Sequence, residues 1–493
     1  VGVYDASVAF FHADMPEEEV LYVRPPKEVL ADRTKVWKLR KAMYGTRRAA
    51  YLWQKYVRDV FVSNGWEEVR IEPNVYSKSI REGEPDDADA DAAVHGDDFL
   101  IQGIPEVIEQ YADVMLANHI EITCLAKVGP GYGKECHILK RKITWSPEGF
   151  TWQADPKHAQ ALIELAGKGK SGVKPADTPG TANLCKTNRD ACELLPPGQA
   201  EEARRAGGIA TYLAMDRPDI CFATRCATRD MSAPKVRMLS YLNRIARYLA
   251  GIPELVWIYD YQDQPTTLTV RTDADWAGPE VEGQKCTTCL VIKLGKHLLD
   301  FVSTGQKVVA LSSAESEFYA TATGASHGLQ VRNLFKEMNF DLDLTVEGDS
   351  TSAHHLCGRV GAGKLRHLTK KDLWIQEKVE QKEVKLARVP TADNEADLGT
   401  KHLDKHKLHK FLGQMNLKVI WNDAVVVNNK KKKIPETEIQ EDDPEIIAGL
   451  IREAISLGKT NMTKVNDKVY FGFSPKQLEK KRTWAELLKF IQD

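Results

Sequence analysis

Four carboxylates stand at the edges of apolar runs in the second half of the chain. Asp273 lies in Leu268-Thr-Val-Arg-Thr-Asp-Ala-Asp-Trp-Ala-Gly278, and Glu317 in Ser312-Ser-Ala-Glu-Ser-Glu-Phe-Tyr319. Asp349 lies in Val346-Glu-Gly-Asp-Ser350 and Asp397 in Asn394-Glu-Ala-Asp-Leu398. Acids delivered by strand ends and helix starts far apart in sequence suit a site that holds two hard divalent cations beside a phosphodiester. A second set lies in the first hundred residues. Asp5 follows an apolar, strand-like run from Val1, and Asp97 and Asp98 sit in Asp91-Ala-Ala-Val-His-Gly-Asp-Asp-Phe-Leu-Ile101. Two apolar arms around His95-Gly-Asp-Asp98 are the pattern of a tight hairpin with acids at its tip. Solvating the turn is the plainer use of such a pair. Between these acids, Lys38, Arg40, Lys41, Arg47 and Arg48 are interleaved with Trp37, Tyr44, Tyr51 and Trp53 around Gly45. That mixture offers cations to phosphates and flat faces to bases or sugars.

The acids need elements to hold them. Residues 135–145 and 149–153 alternate as two strands joined by Ser146-Pro-Glu-Gly149. Helical patterns follow at His158 to Leu165, Glu201 to Met215, Arg217 to about Met231, and Lys235 to Leu249, broken by glycines and prolines between 167 and 180. Arg225, Arg229, Arg237, Arg244 and Arg247 on these helices suit either a nucleic-acid duplex or plain solvation. From Leu268 to Thr304 three strands read as an antiparallel meander, the first ending at Asp273. Ser312 or Ser313 then caps a helix whose inward face includes Phe318, Ala322 and Leu329. A strand at Leu342 to Glu347, a helix at Leu373 to Val379, a strand at Glu383 to Val389 and a final helix from Asn394 bearing Asp397 complete the series.

A chain of 493 residues is expected to hold several domains. Lys+Arg 68 against Asp+Glu 70 gives a net charge of -2, so any nucleic-acid contact must rest on local basic patches rather than on the global balance. Nine cysteines without framework spacing, no signal peptide and no run of 18 apolar residues point to a soluble protein of a reducing, intracellular compartment. Cys286-Thr-Thr-Cys289 is the one close pair; with no second pair it reads as strand rather than zinc or redox chemistry. Residues 81–91 read as an acidic loop. Lys430 to Lys433 opens a charged linker, or else a nuclear-localisation or nucleic-acid patch, and helices are expected from Asp443-Pro444 to Gly458 and from Ser474-Pro475 to Ile491.

Several motifs in order resemble a known family. Asp5 in its strand, Met43-Tyr-Gly-Thr-Arg-Arg-Ala-Ala50 and the Asp97-Asp98 hairpin resemble the reverse transcriptase of Copia-type long-terminal-repeat retrotransposons. Arg217-Pro-Asp-Ile220, Thr272-Asp-Ala-Asp-Trp-Ala-Gly278, Ala310-Leu-Ser-Ser-Ala-Glu-Ser-Glu-Phe318, Gly348-Asp-Ser350, Leu365-Arg-His-Leu368 and Val389-Pro-Thr-Ala-Asp-Asn-Glu-Ala-Asp-Leu-Gly-Thr-Lys401 resemble its connection and ribonuclease H segments. The resemblance spans residues 1 to about 418. It implies an α/β and α+β multidomain chain: a reverse-transcriptase palm without fingers over 1–155, a helical thumb or connection over 156–262, a ribonuclease H-like mixed five-stranded sheet with helices over 263–418, and a tail of unknown role over 419–493.

By the same resemblance, Asp5, Asp97 and Asp98 are the polymerase metal ligands, and Tyr44, Gly45, Arg47 and Arg48 line the nucleotide and template pocket. Asp273, Glu317, Asp349 and Asp397 are the nuclease ligands, with Asp275, Glu315 and Asp393 as neighbouring alternatives. Two Mg2+ ions per site are implied, Mn2+ being the alternative. The partners are an RNA–DNA hybrid, an RNA template, a DNA primer, dNTPs and upstream polyprotein domains, with no membrane, in a cytoplasmic virus-like particle or the nucleus. Two departures bear on the polymerase. The hairpin reads His95-Gly96 where the family has Tyr-Val, and the chain opens without Met at the first acid strand, so it is expected to be a fragment with impaired DNA synthesis. The loop Thr391-Ala-Asp-Asn394 lacks the histidine that many ribonucleases H place there, and His367 is expected to be structural, an approach to the site being the alternative. The competing class is a catalytically inactive relic or an adopted nucleic-acid-binding protein.

Overall fold

A computed structural model describes residues 1–26, 28–29, 34–78, 90–167, 174–185, 193–276, 285–363, 367–369, 373–422, 462–465 and 468–471. Residues 81–89 of the acidic loop expected over 81–91, the four lysines and both expected tail helices lie outside these residues, while Ala90 and Asp91 are strand residues because they pair with Lys78 and Ser77. The chain divides into two units, Val1–Val427 and Asn428–Asp493. In the second unit the described residues are an antiparallel pair, Met462–Val465 with Lys468–Phe471, where no strand is expected from the sequence. Among the described residues no helix is long and apolar enough to cross a membrane.

The described residues of the first unit form three larger sheets and one two-stranded pair, Tyr22–Val23 with Trp37–Lys38. The first contains β1 (Gly2–Ala6), β2 (Glu67–Glu68), β3 (Val75–Lys78), β4 (Ala90–His95), β5 (Asp98–Gln102) and β6 (Ile122–Lys127), in the order β2-β3-β4-β5-β1-β6. Helix α1 (Ala49–Ser63) covers one face, its Trp53, Val57 and Phe61 packing with Tyr4, Tyr76 and Phe99. The hairpin β4–β5 forms where the alternation places it, closing on the His95–Asp98 pair with Gly96 at φ +66. A left-handed residue at the first of two turn positions is what a II′ hairpin requires.

The second sheet runs through β7 (Glu135–Ile138), β8 (Arg141–Ser146), β9 (Gly149–Ala154), β10 (Glu254–Asp260) and β16 (Leu417–Ile420), antiparallel throughout, in the order β16-β10-β9-β8-β7. Against it pack helices α2 (Pro156–Gly167), α3 (Pro197–Ala214), α4 (Pro218–Thr228) and α5 (Val236–Gly251). The middle segment therefore is not purely helical: Glu254-Leu-Val-Trp-Ile-Tyr-Asp260 is a central strand. One sheet joins strands from either side of residues 155 and 262.

The third sheet comprises β11 (Thr267–Asp275), β12 (Thr287–Leu294), β13 (His297–Gly305), β14 (Asp343–Gly348) and β15 (Lys385–Arg388), in the order β13-β12-β11-β14-β15. The meander is antiparallel, whereas β14 pairs parallel to β11 and β15 parallel to β14. This is the mixed five-stranded arrangement of the ribonuclease H fold. Helix α6 (Ser313–Glu337) crosses over one face, and its Gly324 and Gly328 lie where any Cβ would strike Thr272, Val270 and Leu344. Two helices, α7 (Thr351–Cys357) and α8 (Trp374–Glu380), stand between β14 and β15. The closing helix α9 (Lys405–Gln414) begins later than expected. Asp397 instead lies on a 3-10 turn, Glu395–Gly399, tucked against β12, where Gly399 leaves room for Cys289. Both described cysteines of the Cys286/Cys289 pair are buried.

The arginines of the middle helices spend their hydrogen bonds on the protein. Arg225 and Arg229 both donate to Thr287 Oγ1 at 3.4 Å, Arg237 grips Asp230, Arg244 donates to Thr178 Oγ1 at 2.9 Å and Arg247 to the Lys174 carbonyl at 2.8 Å. The Arg217-Pro-Asp-Ile220 motif is wholly internal. Arg217 and Asp219, 1% and 0% exposed, make a two-pronged pair at 2.9 and 2.7 Å. Arg217 also donates to the carbonyls of Pro253 and Ile252 just before β10, while Tyr248 donates to Asp219 at 2.9 Å. Removing one partner of such a pair strands a buried charge. Arg217→Ala is therefore expected to destabilise the protein by about 3–5 kcal/mol, read as a drop in the urea midpoint. An unchanged midpoint with weakened duplex binding would mean that the motif serves nucleic acid instead.

Candidate metal centre

Asp273 does not end its strand. β11 continues to Asp275, which pairs with Thr287, because β12 runs alongside it for the full length. Asp273 is thus an interior strand residue, 1% exposed, beside the parallel neighbour β14 that carries Asp349 past its end. Glu317 comes from α6. Ser312 caps that helix, accepting from Glu315 N at 3.2 Å, and the Glu315 carboxylate returns to Leu311 N at 2.9 Å, a reciprocal arrangement that sets where the helix starts. Gln306 adds hydrogen bonds to Ser316 O and Oγ. With the start fixed, Glu317 lies on the face turned toward β11.

The ligand oxygens of Asp273, Glu317 and Asp349 all lie within 4.8 Å of one another. Burial pushes Glu317 up to about 9, with repulsion from Asp273 and Asp349 adding to it. Burial likewise raises Asp273 to about 6 against the pull of Lys401, with Asp397 and Asp349 as further repulsion and the Thr400 hydroxyl opposing. Crowded, buried carboxylates of this kind cannot all remain charged without a cation, and oxygen donors suit a hard divalent one. The three residues therefore fit such an ion.

Asp397 stands differently. It is buried, but Lys401 Nζ holds one oxygen at 2.6 Å and Lys407 Nζ the other at 2.6 Å. Lys401 also lies 3.4 Å from Asp273, and Thr400 donates its hydroxyl to the same carboxylate. The segment is pinned upstream as well. Asn394 donates to the Thr272 carbonyl at 3.0 Å, and Glu395, 0% exposed, is held by Arg271 and by Lys293 at 3.3 Å. None of Asn394, Glu395, Thr400, Lys401 and Lys407 is assigned a role in the sequence reading. The spacing of Lys401, four residues after Asp397, is the available signal for that pair.

The alternatives separate cleanly. Glu315 is occupied by Leu311 N and by His367 Nε2 at 2.9 Å, so His367 supports the helix cap. Asp393 is half-buried and paired with Lys410 at 2.7 Å.

At the palm hairpin, Asp5 lies directly across from Asp98, and Ala6 N donates to the Asp97 carbonyl at 2.9 Å. Burial, with repulsion from Asp97 and Asp5, raises the Asp98 carboxyl. These three carboxylates are neighbours, yet among the described residues only the Asp273 group converges to within 4.8 Å. Trp53 Nε1 donates to the Gly96 carbonyl at 2.7 Å, tying α1 to the turn. Tyr44 packs on Phe10 at 4.4 Å between centroids, just after the Asp5 strand. Gly45 takes φ +86 with open space where a Cβ would point. Arg47 is exposed, whereas Arg48 pairs with Glu19 and lies 5.0 Å over the Tyr51 ring.

A family model described as reverse transcriptase (RNA-dependent DNA polymerase) matches residues 1–147. The Retrovirus-related Pol polyprotein from transposon RE2 of Arabidopsis thaliana is 26% identical over 415 residues, covering 83% of this chain and 27% of the relative. The corresponding polyprotein from transposon TNT 1-94 of Nicotiana tabacum is 25% identical over 413 residues, covering 82% of this chain and 30% of the relative. This chain thus spans less than a third of the length of either. A solved foamy viral protease-reverse transcriptase in complex with RNA/DNA hybrid aligns over 79% of this chain and 44% of that chain, at 10% identity and a TM-score of 0.45. The sequence likeness extends over more than four-fifths of the chain, and in it the chain is similar to the Copia-type retrotransposon Pol polyproteins.

Proposed function

We propose that the chain is the reverse transcriptase and ribonuclease H part of a retrotransposon polyprotein, and that its nuclease segment hydrolyses the RNA strand of an RNA–DNA hybrid. The observation that carries this reading is the convergence of Asp273 on β11, Glu317 on α6 and Asp349 just past β14 to within 4.8 Å. Acids brought together from three elements of a ribonuclease H-like sheet are costly to bury and useful only with a cation. Magnesium is the expected ion, with manganese as its substitute. When bound, it lowers the pKa of a coordinated water and draws charge from the scissile phosphate. The chain's own contribution is to fix the three carboxylates on rigid elements: α6 by its cap and its glycine contact with β11, and β14 by its parallel ladder. In the palm, Asp5, Asp97 and Asp98 form the corresponding polymerase set, with Tyr44, Gly45, Arg47 and Arg48 along the nucleotide and template path. Its substrates are an RNA template, a DNA primer and dNTPs.

Two measurements test the nuclease reading. Asp349→Asn is expected to reduce Mg2+-dependent cleavage of a labelled hybrid by more than about 100-fold while the circular dichroism spectrum stays unchanged; retained cleavage refutes the assignment. The second concerns protons. With Glu317 at about 9 in the metal-free site, that carboxyl is protonated at pH 7, whereas a ligand must be ionised. Divalent-ion binding at pH 7 should therefore release on the order of one proton per ion, seen as a dependence of calorimetric enthalpy on buffer ionisation enthalpy, and the release should vanish in Glu317→Gln.

A further inference from the structure

The surroundings of Asp397 bear on how many ions the nuclease site takes. Both of its oxygens are held by ammonium groups at 2.6 Å, from Lys401 and Lys407. Neither lysine is a casual surface residue. Lys401 follows Thr400, whose hydroxyl is bound to Asp273, and its own backbone N–H donates to the Asp397 carbonyl at 3.0 Å. Lys407 stands in the first turn of α9, where Asp404 accepts from its N–H at 3.0 Å, and its ammonium lies 5.2 Å over the Phe411 ring. The nearby cations Arg271 and Lys293 are taken by Glu347 and Glu395. Arg388 is exposed and donates to the Asp349 backbone carbonyl.

The charges then add simply. Asp273, Glu317, Asp349 and Asp397, ionised, bring four negative charges, and Lys401 and Lys407 bring two positive ones, leaving a net -2. One divalent ion neutralises that sum, whereas a second would leave the empty site at +2 and would have to displace a lysine from Asp397.

We infer that Lys401 is the second cation of this nuclease site, with Asp397 as its counter-ion, so that the site takes one divalent ion, on Asp273, Glu317 and Asp349, instead of two. The inference rests on the proposed nuclease function and departs from the two-ion expectation drawn from the sequence. In the hydrolysis, the water oxygen bonds to phosphorus and gives up a proton to solvent. The bond from phosphorus to the 3′-oxygen breaks, and that oxygen leaves with the electron pair and takes a proton from solvent, giving a 5′-phosphate and a 3′-hydroxyl. Lys401, with 42% of its side chain exposed, offers a fixed charge to the departing oxygen.

The test is a Mn2+ titration followed by electron paramagnetic resonance, on the full chain carrying Asp97→Asn and Asp98→Asn to silence the palm acids. One uncoupled ion per chain is expected, and Asp349→Asn should weaken its binding at least tenfold. Lys401→Gln should admit a second ion and bring the exchange-coupled spectrum of two ions about 3.5–4 Å apart. Lys401→Arg, which keeps the charge, should retain one. Two coupled ions with Lys401 intact, or a single ion in a folded Lys401→Gln protein, overturns this inference alone. If Lys401→Gln does not fold, the counts in the native and Lys401→Arg proteins still decide. Ion binding indifferent to Asp349→Asn overturns the nuclease-site reading itself.

Discussion

Carboxylates buried side by side repel one another, and the third sheet is arranged around that repulsion. Left alone, such a group would neutralise by taking up protons, and burial with the neighbouring acids pushes the Glu317 carboxyl in that direction. The fold answers with the segment from Asn394 to Lys407, which delivers a hydroxyl and two ammonium groups to the acids. That segment reaches the site because Asn394 hooks the Thr272 carbonyl and because Arg271 and Lys293 grip the buried Glu395. A line of charge pairs thus runs from β12 through Glu395 to the turn that carries Asp397. Breaking it upstream would leave Asp397 present in the chain but out of position.

Much of this architecture was legible beforehand, and the reasons differ by element. The meander and its crossing helix follow from apolar alternation and from Ser312 at a capping position. The chemistry of the acids was visible because each interrupts an apolar run. Local pattern failed where the deciding partner is remote. Asp273 reads as a strand end because an acid usually marks one, yet β12 pairs alongside and carries β11 on to Asp275. Glu254-Leu-Val-Trp-Ile-Tyr-Asp260 is strand-like in composition, but its neighbours come from residues 149–154 and 417–420, so nothing nearby in sequence announces its sheet. The arginines of the middle helices were ambiguous for the same reason: the carboxylates and carbonyls that occupy them are brought in by the fold.

The two acidic sets show how different surroundings grade one chemical motif. In the first sheet, Asp5 on β1 lies across from Asp98 at the foot of the β4–β5 hairpin, whose turn needs a left-handed residue that Gly96 supplies without strain. Asp97 stays exposed at the tip. In the third sheet the acids sit under a long helix and beside two lysines, and they converge. The difference lies in what covers the acids.

The second sheet has a mechanical meaning. Its strand β10 is laddered on one side to β9, which follows the first sheet in the chain, and on the other to β16, which follows α9. A linker between two segments would act as a hinge; a shared ladder acts as a splint. The palm-side hairpin and the end of the nuclease fold cannot swing apart at this seam without breaking backbone hydrogen bonds together. A nucleic-acid duplex engaged by both segments would meet a fixed gauge there, its register between them set by the protein backbone.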